Sequence, residues 1–255
     1  MLTLAETELH LPEGILLNQS FGSIFHGALI SEINKKWAGR MHEQQVRPYS
    51  QYLLVKEGKP CWRLAALTEE AFEHILQPIM RKDSLFLEQK GYEVGVGKFS
   101  ILKKDSFQGL EERFWTGTDK VHHIDLEFLT SASFKKNGEY MIFPELPLVL
   151  NSLIRKWNAY SDSMVLGEER LGDRLTESMC ITDYRLHTHP FSVEGRRIRA
   201  FRGNIRLGLF KDDITRRMAS MLAAFADYAG IGIKTAMGMG AVESDISYYQ
   251  KKEQL

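Results

Sequence analysis

Apolar and polar positions alternate over residues 2–11, LTLAETELHL, the period of a strand with one buried face. Phe21, Ile24, Phe25, Ala28, Leu29, Ile33 and Trp37 then recur at helical spacing behind Ser20, a residue type that caps helix N-termini. YLLVK (52–56) and CWRLAAL (61–67) flank Glu57-Gly58-Lys59-Pro60, a hairpin signal. Thr68 introduces a helix that carries Ala71, Phe72, Ile75 and Leu76, and a further strand is expected over 92–102. The order β-α-β-β-α-β is the split arrangement of a ferredoxin-like unit.

The second half repeats that order without repeating the sequence. A strand is expected at 122–129 and a helix from Leu148 to Tyr160, with Leu150, Leu153, Ile154 and Trp157 apolar. Strands follow at 179–189 and 198–209. Ile214, Met218, Met221, Leu222, Phe225 and Ala229 mark an amphipathic helix whose methionines read as core, and 241–248 a last strand. The predicted fold class is α+β: two tandem ferredoxin-like (RRM-like) domains, 1–120 and 121–255, with a glycine-rich loop near the C-terminus. No Pro-, Ser- or Gly-rich linker divides them, so the halves are expected to pack closely, with the cleft or the sheets as binding surface.

Charge narrows the possible partners. Thirty-three basic and 33 acidic residues among 255 cancel, so binding to nucleic acid or an anionic membrane through overall charge is excluded and a local patch is required. Residues 196–217 supply one: Arg196, Arg197, Arg199, Arg202, Arg206, Lys211, Arg216 and Arg217 against Asp212 and Asp213, a local net of +6. Arginines at a hairpin tip can bind phosphates and stack on splayed bases, with Phe191 or Phe201 as a platform. Cys61 and Cys180 form no C-x-x-C pair, which excludes a disulfide framework or a thiolate cage and fits a cytoplasmic setting. No basic leader followed by an apolar run begins the chain and no stretch reaches eighteen apolar residues, so neither export nor membrane insertion is expected. His187 and His189, two apart on one expected strand face, have metal-ligand spacing but no third ligand, and are read as solvent- or phosphate-facing. No metal and no cofactor is expected.

Residues 230–240 read GIGIKTAMGMG. A Rossmann fingerprint would need Gly where Thr235 stands and a P-loop Gly where Ile233 stands. Both need strand, loop, helix, whereas this loop leaves a helix and enters a strand. These mismatches disfavour a nucleotide-binding small-molecule enzyme. What remains is a run of backbone N–H groups beside Lys234 that can approach a phosphate closely, with Gly230, Gly232, Lys234, Thr235, Gly238 and Gly240 as candidate contacts. The alternative is a helix C-cap at Gly230 followed by a tight turn.

GIGIKTAMGMGAV resembles the C-terminal signature of the CRISPR repeat-RNA-processing endoribonucleases, the sixth of the Cas series in the RAMP superfamily. FLTSASFKKNGEYMIFPELPLVLNSLIRKWNAYS (128–161), FRGNIRLGL (201–209) and HGALI…RMHEQQVRPYS (26–50) are similar to that family's other segments, in the right order. The resemblance implies the tandem ferredoxin-like fold and a metal-independent cut in CRISPR repeat RNA. In that reaction the 2′-hydroxyl attacks the adjacent phosphate and leaves 2′,3′-cyclic phosphate and 5′-hydroxyl ends. It implies His42 as principal acid–base group, in an expected polar loop with Arg40, Gln44, Gln45 and Arg47, the lesser alternative being a cap on the preceding helix. His26 is the second candidate, near Ile30 and Ile33 on the helix flank and nearly as well suited to packing. Family members carry Tyr at about the place of Ile30. Tyr49 could contact phosphate, orient the base or begin a strand, and Arg47, with Lys36 in reserve, is the charge-stabilising cation. The arginine hairpin and glycine loop would hold the RNA. A homodimer and other Cas effector proteins are compatible partners. The competing reading is a non-catalytic guide-RNA-binding RAMP protein.

Overall fold

The computed structural model describes residues 1–117, 120–167, 171–193, 195–210 and 212–249. The opening alternation forms β1 (Leu2–His10), and a 3₁₀ turn at Gln19–Phe21, capped by Asn18 and not Ser20, leads into α1 (Gly22–Glu32). The single helix expected over 20–37 is two. Ile33 is extended, the Asn34 side chain accepts the Lys36 amide at 2.9 Å, and α2 (Lys35–Glu43) starts there. Its continuation to Glu43 takes His42 out of the expected loop and onto a helix.

The hairpin β2 (Tyr49–Lys56) and β3 (Lys59–Ala66) forms as patterned. The helical stretch behind Thr68 contains α3 (Glu69–Ala71), a π turn (Phe72–Leu76) and α4 (Gln77–Met80). The strand expected over 92–102 is divided. After β4 (Ser84–Leu87), β5 (Tyr92–Val96) pairs β4 and the end of β1, while β6 (Ser100–Asp105) pairs the start of β1. The change of partner falls at Gly97, whose N–H reaches the Glu8 carbonyl at 2.9 Å and whose carbonyl accepts Thr7 Oγ1 at 2.7 Å. Helix α5 (Phe107–Thr116) follows, capped by Ser106.

The second half contains β7 (Val121–Ala132), the hairpin β8 (Phe134–Lys136) and β9 (Glu139–Met141), α6 (Leu146–Tyr160) and α7 (Leu171–Leu175). Then come β10 (Met179–Thr188), the hairpin β11 (Phe191–Val193) and β12 (Arg196–Ile198), β13 (Phe201–Leu209), α8 (Asp213–Ala229) and β14 (Val242–Tyr248). Both sheets have the ferredoxin order, all antiparallel: β2-β3-β1-β6 in the first and β10-β13-β7-β14 in the second.

Helix α8 packs against the first sheet on one side and β7 and β14 on the other, so helices of the second half lie between the two sheets. One apolar core accordingly runs from Leu2, Leu4 and Ala65 through Phe107, Trp157 and Phe225 to Ile124 and Leu126. Phe107 meets Trp157 edge-on at 4.9 Å, joining the halves. The second core, with Phe25, Leu29, Trp62 and Leu64, lies under α1. No described helix is long and apolar enough to cross a membrane.

Buried Gln51 ties the first sheet to the glycine loop. Its Oε1 accepts Trp62 Nε1 at 2.7 Å, and its Nε2 donates to the Gly22 and Ala236 carbonyls at 2.7 and 3.1 Å. Gln51→Leu removes the acceptor of Trp62 Nε1 and the side-chain donor to the Gly22 and Ala236 carbonyls, and we expect it to cost at least about 2 kcal/mol in a denaturant titration. An unchanged midpoint would contradict this assignment.

Candidate active site at the domain junction

The glycine loop is packed backbone against backbone. A Cβ at Gly240 would lie 1.9 Å from the Ile231 carbonyl oxygen and one at Gly232 2.4 Å from that of Ser133. Across the junction, a Cβ at Gly22 of α1 would lie 2.6 Å from the Met237 carbonyl oxygen. Gly230, Thr235, Gly238 and Gly240 are buried.

The glycine amides offered as phosphate contacts have partners within the protein. Gly230 donates to the Ala226 carbonyl, Gly232 to Ser152 Oγ, Gly238 to the Thr235 carbonyl and Gly240 to the Ser131 carbonyl, at 2.8, 2.8, 3.4 and 2.9 Å. Close packing of main chain, which only residues lacking a Cβ permit, uses the glycines. Among the described residues no hydrogen bond engages the amides of Lys234, Thr235 and Ala236, which open the 3₁₀ turn at Thr235–Met237. Lys234 is exposed and left-handed, with φ +55°.

Facing this turn is the segment after α2. A cleft of about 260 Å³ is lined by Gln44, Gln45, Val46 and Arg47 on one side and by Arg155, Lys156 and residues 232–237 on the other. It contains four basic side chains and no carboxylate. Gln44 Oε1 is a buried acceptor with no partner among the described residues.

Arg47 Nε donates to the Met41 carbonyl in the last turn of α2 at 3.1 Å, and its Nη1 donates to His26 Nε2 at 2.8 Å. A guanidinium has no acceptor, so His26 Nε2 carries the lone pair. Its Nδ1–H then donates to the Tyr49 hydroxyl, 2.8 Å away. His26 is 8% exposed and both ring nitrogens are engaged, so it orients Arg47. Tyr49 is 1% exposed and stacked on His26. Burial raises its hydroxyl well above the usual phenol range, against the opposing pull of Arg47, so it stays protonated. His42 follows Met41 on α2, and its side chain lies outside the described residues. Ile30 is half-buried and Lys36 exposed on α2.

The arginine patch divides. Arg196, Arg197 and Arg199 are exposed on or beside β12, Arg199 pairing Glu139 at 3.0 Å, and Arg202 is half-buried on β13. Arg206 instead pairs Asp125 on the outer face of the second sheet. Arg216 donates to the Val121 carbonyl, and Arg217 to the carbonyls of Phe114, Trp115 and Gly117. Lys211 lies outside the described residues. Phe191 and Phe201 are each 1% exposed and belong to the core, so neither is a stacking platform. Against the second sheet's outer face a larger hollow, 470 Å³, is lined by Asp125, Glu127, Asp183, Glu243 and Asp245 with Arg206, the wrong sign for a polyanion. His189 bonds Ser131 Oγ at 2.7 Å and, with Arg202, lines a third hollow. His187 lies edge-on to it, and no group of three or more potential metal ligands occurs among the described residues.

Residues 126–242 match the sequence model of the CRISPR-associated endoribonuclease Cas6 family. The Cas6 of Mycobacterium tuberculosis is 30% identical over 231 residues, 88% of this chain and 71% of that one. The chain belongs to the Cas6 family. Streptococcus thermophilus Cas6 is 28% identical over 86% of this chain and 89% of its own. Among solved structures, a Cas6 product complex superposes with TM-score 0.77 at 21% identity over 96% of this chain and all of that one. Thermus thermophilus Cas6 gives 0.74 at 22% over 96% and 98%. Both show the shared fold.

Sequence reasoning missed Gln51, Arg155 and Lys156. Lys156 was detectable as a lysine beside the buried stripe of Val149, Leu150, Leu153 and Trp157. Burial, then the Arg155 charge, pulls its ammonium down to about 7, while the carbonyls around it favour the charged form. The folded protein thus releases a proton that the unfolded chain keeps to 10.5, and stability rises with pH across that window. Denaturant melts at about pH 6.5 and 9 should show this rise in wild type and a flatter profile in Lys156→Met. Equal slopes would contradict it.

Proposed function

We propose that this protein cuts CRISPR repeat RNA by metal-independent attack of the 2′-hydroxyl on the adjacent phosphate. Residues 1–120 supply the acid–base and charge-stabilising groups, and residues 121–255 the RNA grip. The supporting observation is the acid-free cleft, where Arg47, aimed by His26 and Tyr49, faces Lys234 and three unpaired amides. Such a site suits a phosphate whose negative charge grows in the transition state.

The 2′-oxygen loses its proton to a base and bonds to phosphorus, and the bond to the 5′-oxygen breaks as that oxygen gains a proton. The products carry a 2′,3′-cyclic phosphate and a 5′-hydroxyl. His42, one residue after the Met41 carbonyl that anchors Arg47, is the principal acid–base group. Arg47 stabilises the phosphorane, His26 and Tyr49 holding its guanidinium in place. Lys234 and the amides of 234–236 grip the phosphate, with Gly232 beside them, and Arg196, Arg197, Arg199 and Arg202 hold flanking RNA.

In excess EDTA the protein should cleave its own repeat RNA and spare a substrate with 2′-deoxy just before the cut. His42→Ala should slow single-turnover cleavage by about 10²–10⁴. Arg47→Ala should slow it by about 10²–10³, and His26→Ala by less than His42→Ala. Tight binding without cleavage would overturn this reading in favour of a guide-RNA-binding RAMP protein.

A further inference from the structure

Helix α6 presents a polar stripe at four-residue spacing, Ser152, Lys156 and Tyr160, and each side chain holds a different main-chain segment of the junction. Ser152 Oγ accepts the Gly232 amide at 2.8 Å. Lys156 Nζ lies within hydrogen-bond reach of the carbonyls of Ala229 and Gly230 at 2.8 and 2.9 Å and of Thr235 Oγ1 at 3.2 Å. The Tyr160 hydroxyl donates to the Val46 carbonyl, next to Arg47. Eight residues of helix span about 12 Å, so one rigid element measures the distance from the glycine loop to the Arg47 segment.

We propose that this stripe is a positioning device, with Lys156 at its centre, that sets Lys234 and Arg47 at a fixed spacing across the cleft. The proposal rests on the functional reading above. Gly232 and Thr235, the residues held by Ser152 and Lys156, bracket Lys234 and its left-handed backbone. The side chain of Lys234 has no strong tether, its Nζ lying 3.9 Å from Met237 Sδ, so its place in the cleft follows from the main chain around it. On the opposite wall Arg47 is held by Met41, His26 and, through Val46, by Tyr160. A methionine at 156 would fill the volume and avoid burying an amine, but would leave the two carbonyls at the end of α8 without their donor.

The test separates holding from chemistry. In RNA-free protein, Lys156→Met and Ser152→Ala should speed hydrogen exchange of the loop amides Gly232 and Gly238 by about tenfold or more, with β7 amides unchanged. Both should weaken binding of an uncleavable 2′-deoxy repeat RNA by about 10- to 100-fold, and neither should add to the loss in Lys234→Ala. Tyr160→Phe should lower the single-turnover rate at saturating RNA, with affinity kept, and should not add to Arg47→Ala. Ser152→Ala serves should Lys156→Met fail to fold. Unchanged loop exchange, lowered stability with normal binding and rate, or full additivity would overturn the positioning role. Wild-type protein that neither binds nor cleaves repeat RNA would sink the functional reading, and this role with it.

Discussion

The site depends on two main chains meeting without side chains between them. At Gly22 and Gly238, α1 of the first half approaches the glycine loop of the second so closely that a Cβ on either would lie 3.0 Å from the other residue's Cα. At Gly240 and Gly232 the loop closes on itself and on the end of β7 in the same manner. These contacts leave the loop few conformations, and Lys234, at the entrance of the 3₁₀ turn, is its exposed residue. Gln51 and Lys156, one from each half, satisfy the carbonyls that such packing buries. A site between domains is usually soft, since each side can shift. Here the shared apolar core around Trp157 and Phe225 and these buried polar contacts join the halves.

Charge is sorted on the surface of a chain with no net charge. The outer face of the second sheet, which in an RRM-like domain could lie against nucleic acid, carries five carboxylates around Arg206. The first sheet is covered on both faces, by α1 on one and α8 on the other. A polyanion is thereby refused by one sheet on electrostatic grounds and by the other on steric grounds. The junction, with Arg47, Arg155, Lys156 and Lys234 and no acid among its lining residues, is the complementary surface. The tandem fold thus gathers basic groups at its junction and acidic ones on its open sheet.

The ferredoxin-like order of each half was legible, because β1, β7, α6 and α8 carry clear hydrophobic periods, whereas β4, α5, α7 and the hairpins β8-β9 and β11-β12 were not read. Boundaries failed where a single polar contact or glycine decides. Asn34 captures the Lys36 amide and splits the first helix, and Gly97 lets β1 change partners. The glycine loop was legible as unusual but its use was not: whether a glycine serves a ligand or a neighbouring backbone depends on what packs there, and Ser131, Ser133 and Ser152 are distant in sequence. The arginine cluster misled similarly. Arg206, Arg216 and Arg217 are close to the hairpin in sequence, but strand direction and helix α8 carry them to other surfaces. Arg47, His26 and Tyr49 were found as residue types, while their mutual orientation needed the fold.

Few groups are asked to carry the chemistry, so geometry must supply much of the rate. The most direct measurement is a crystal structure of the protein with repeat RNA carrying 2′-deoxy at the cut. The account predicts the scissile phosphate between Arg47 and the amides of residues 234–236, with the His42 ring within hydrogen-bond reach of the attacking or leaving oxygen. A scissile phosphate bound on the outer face of the second sheet, or beyond reach of both Arg47 and Lys234, would contradict it.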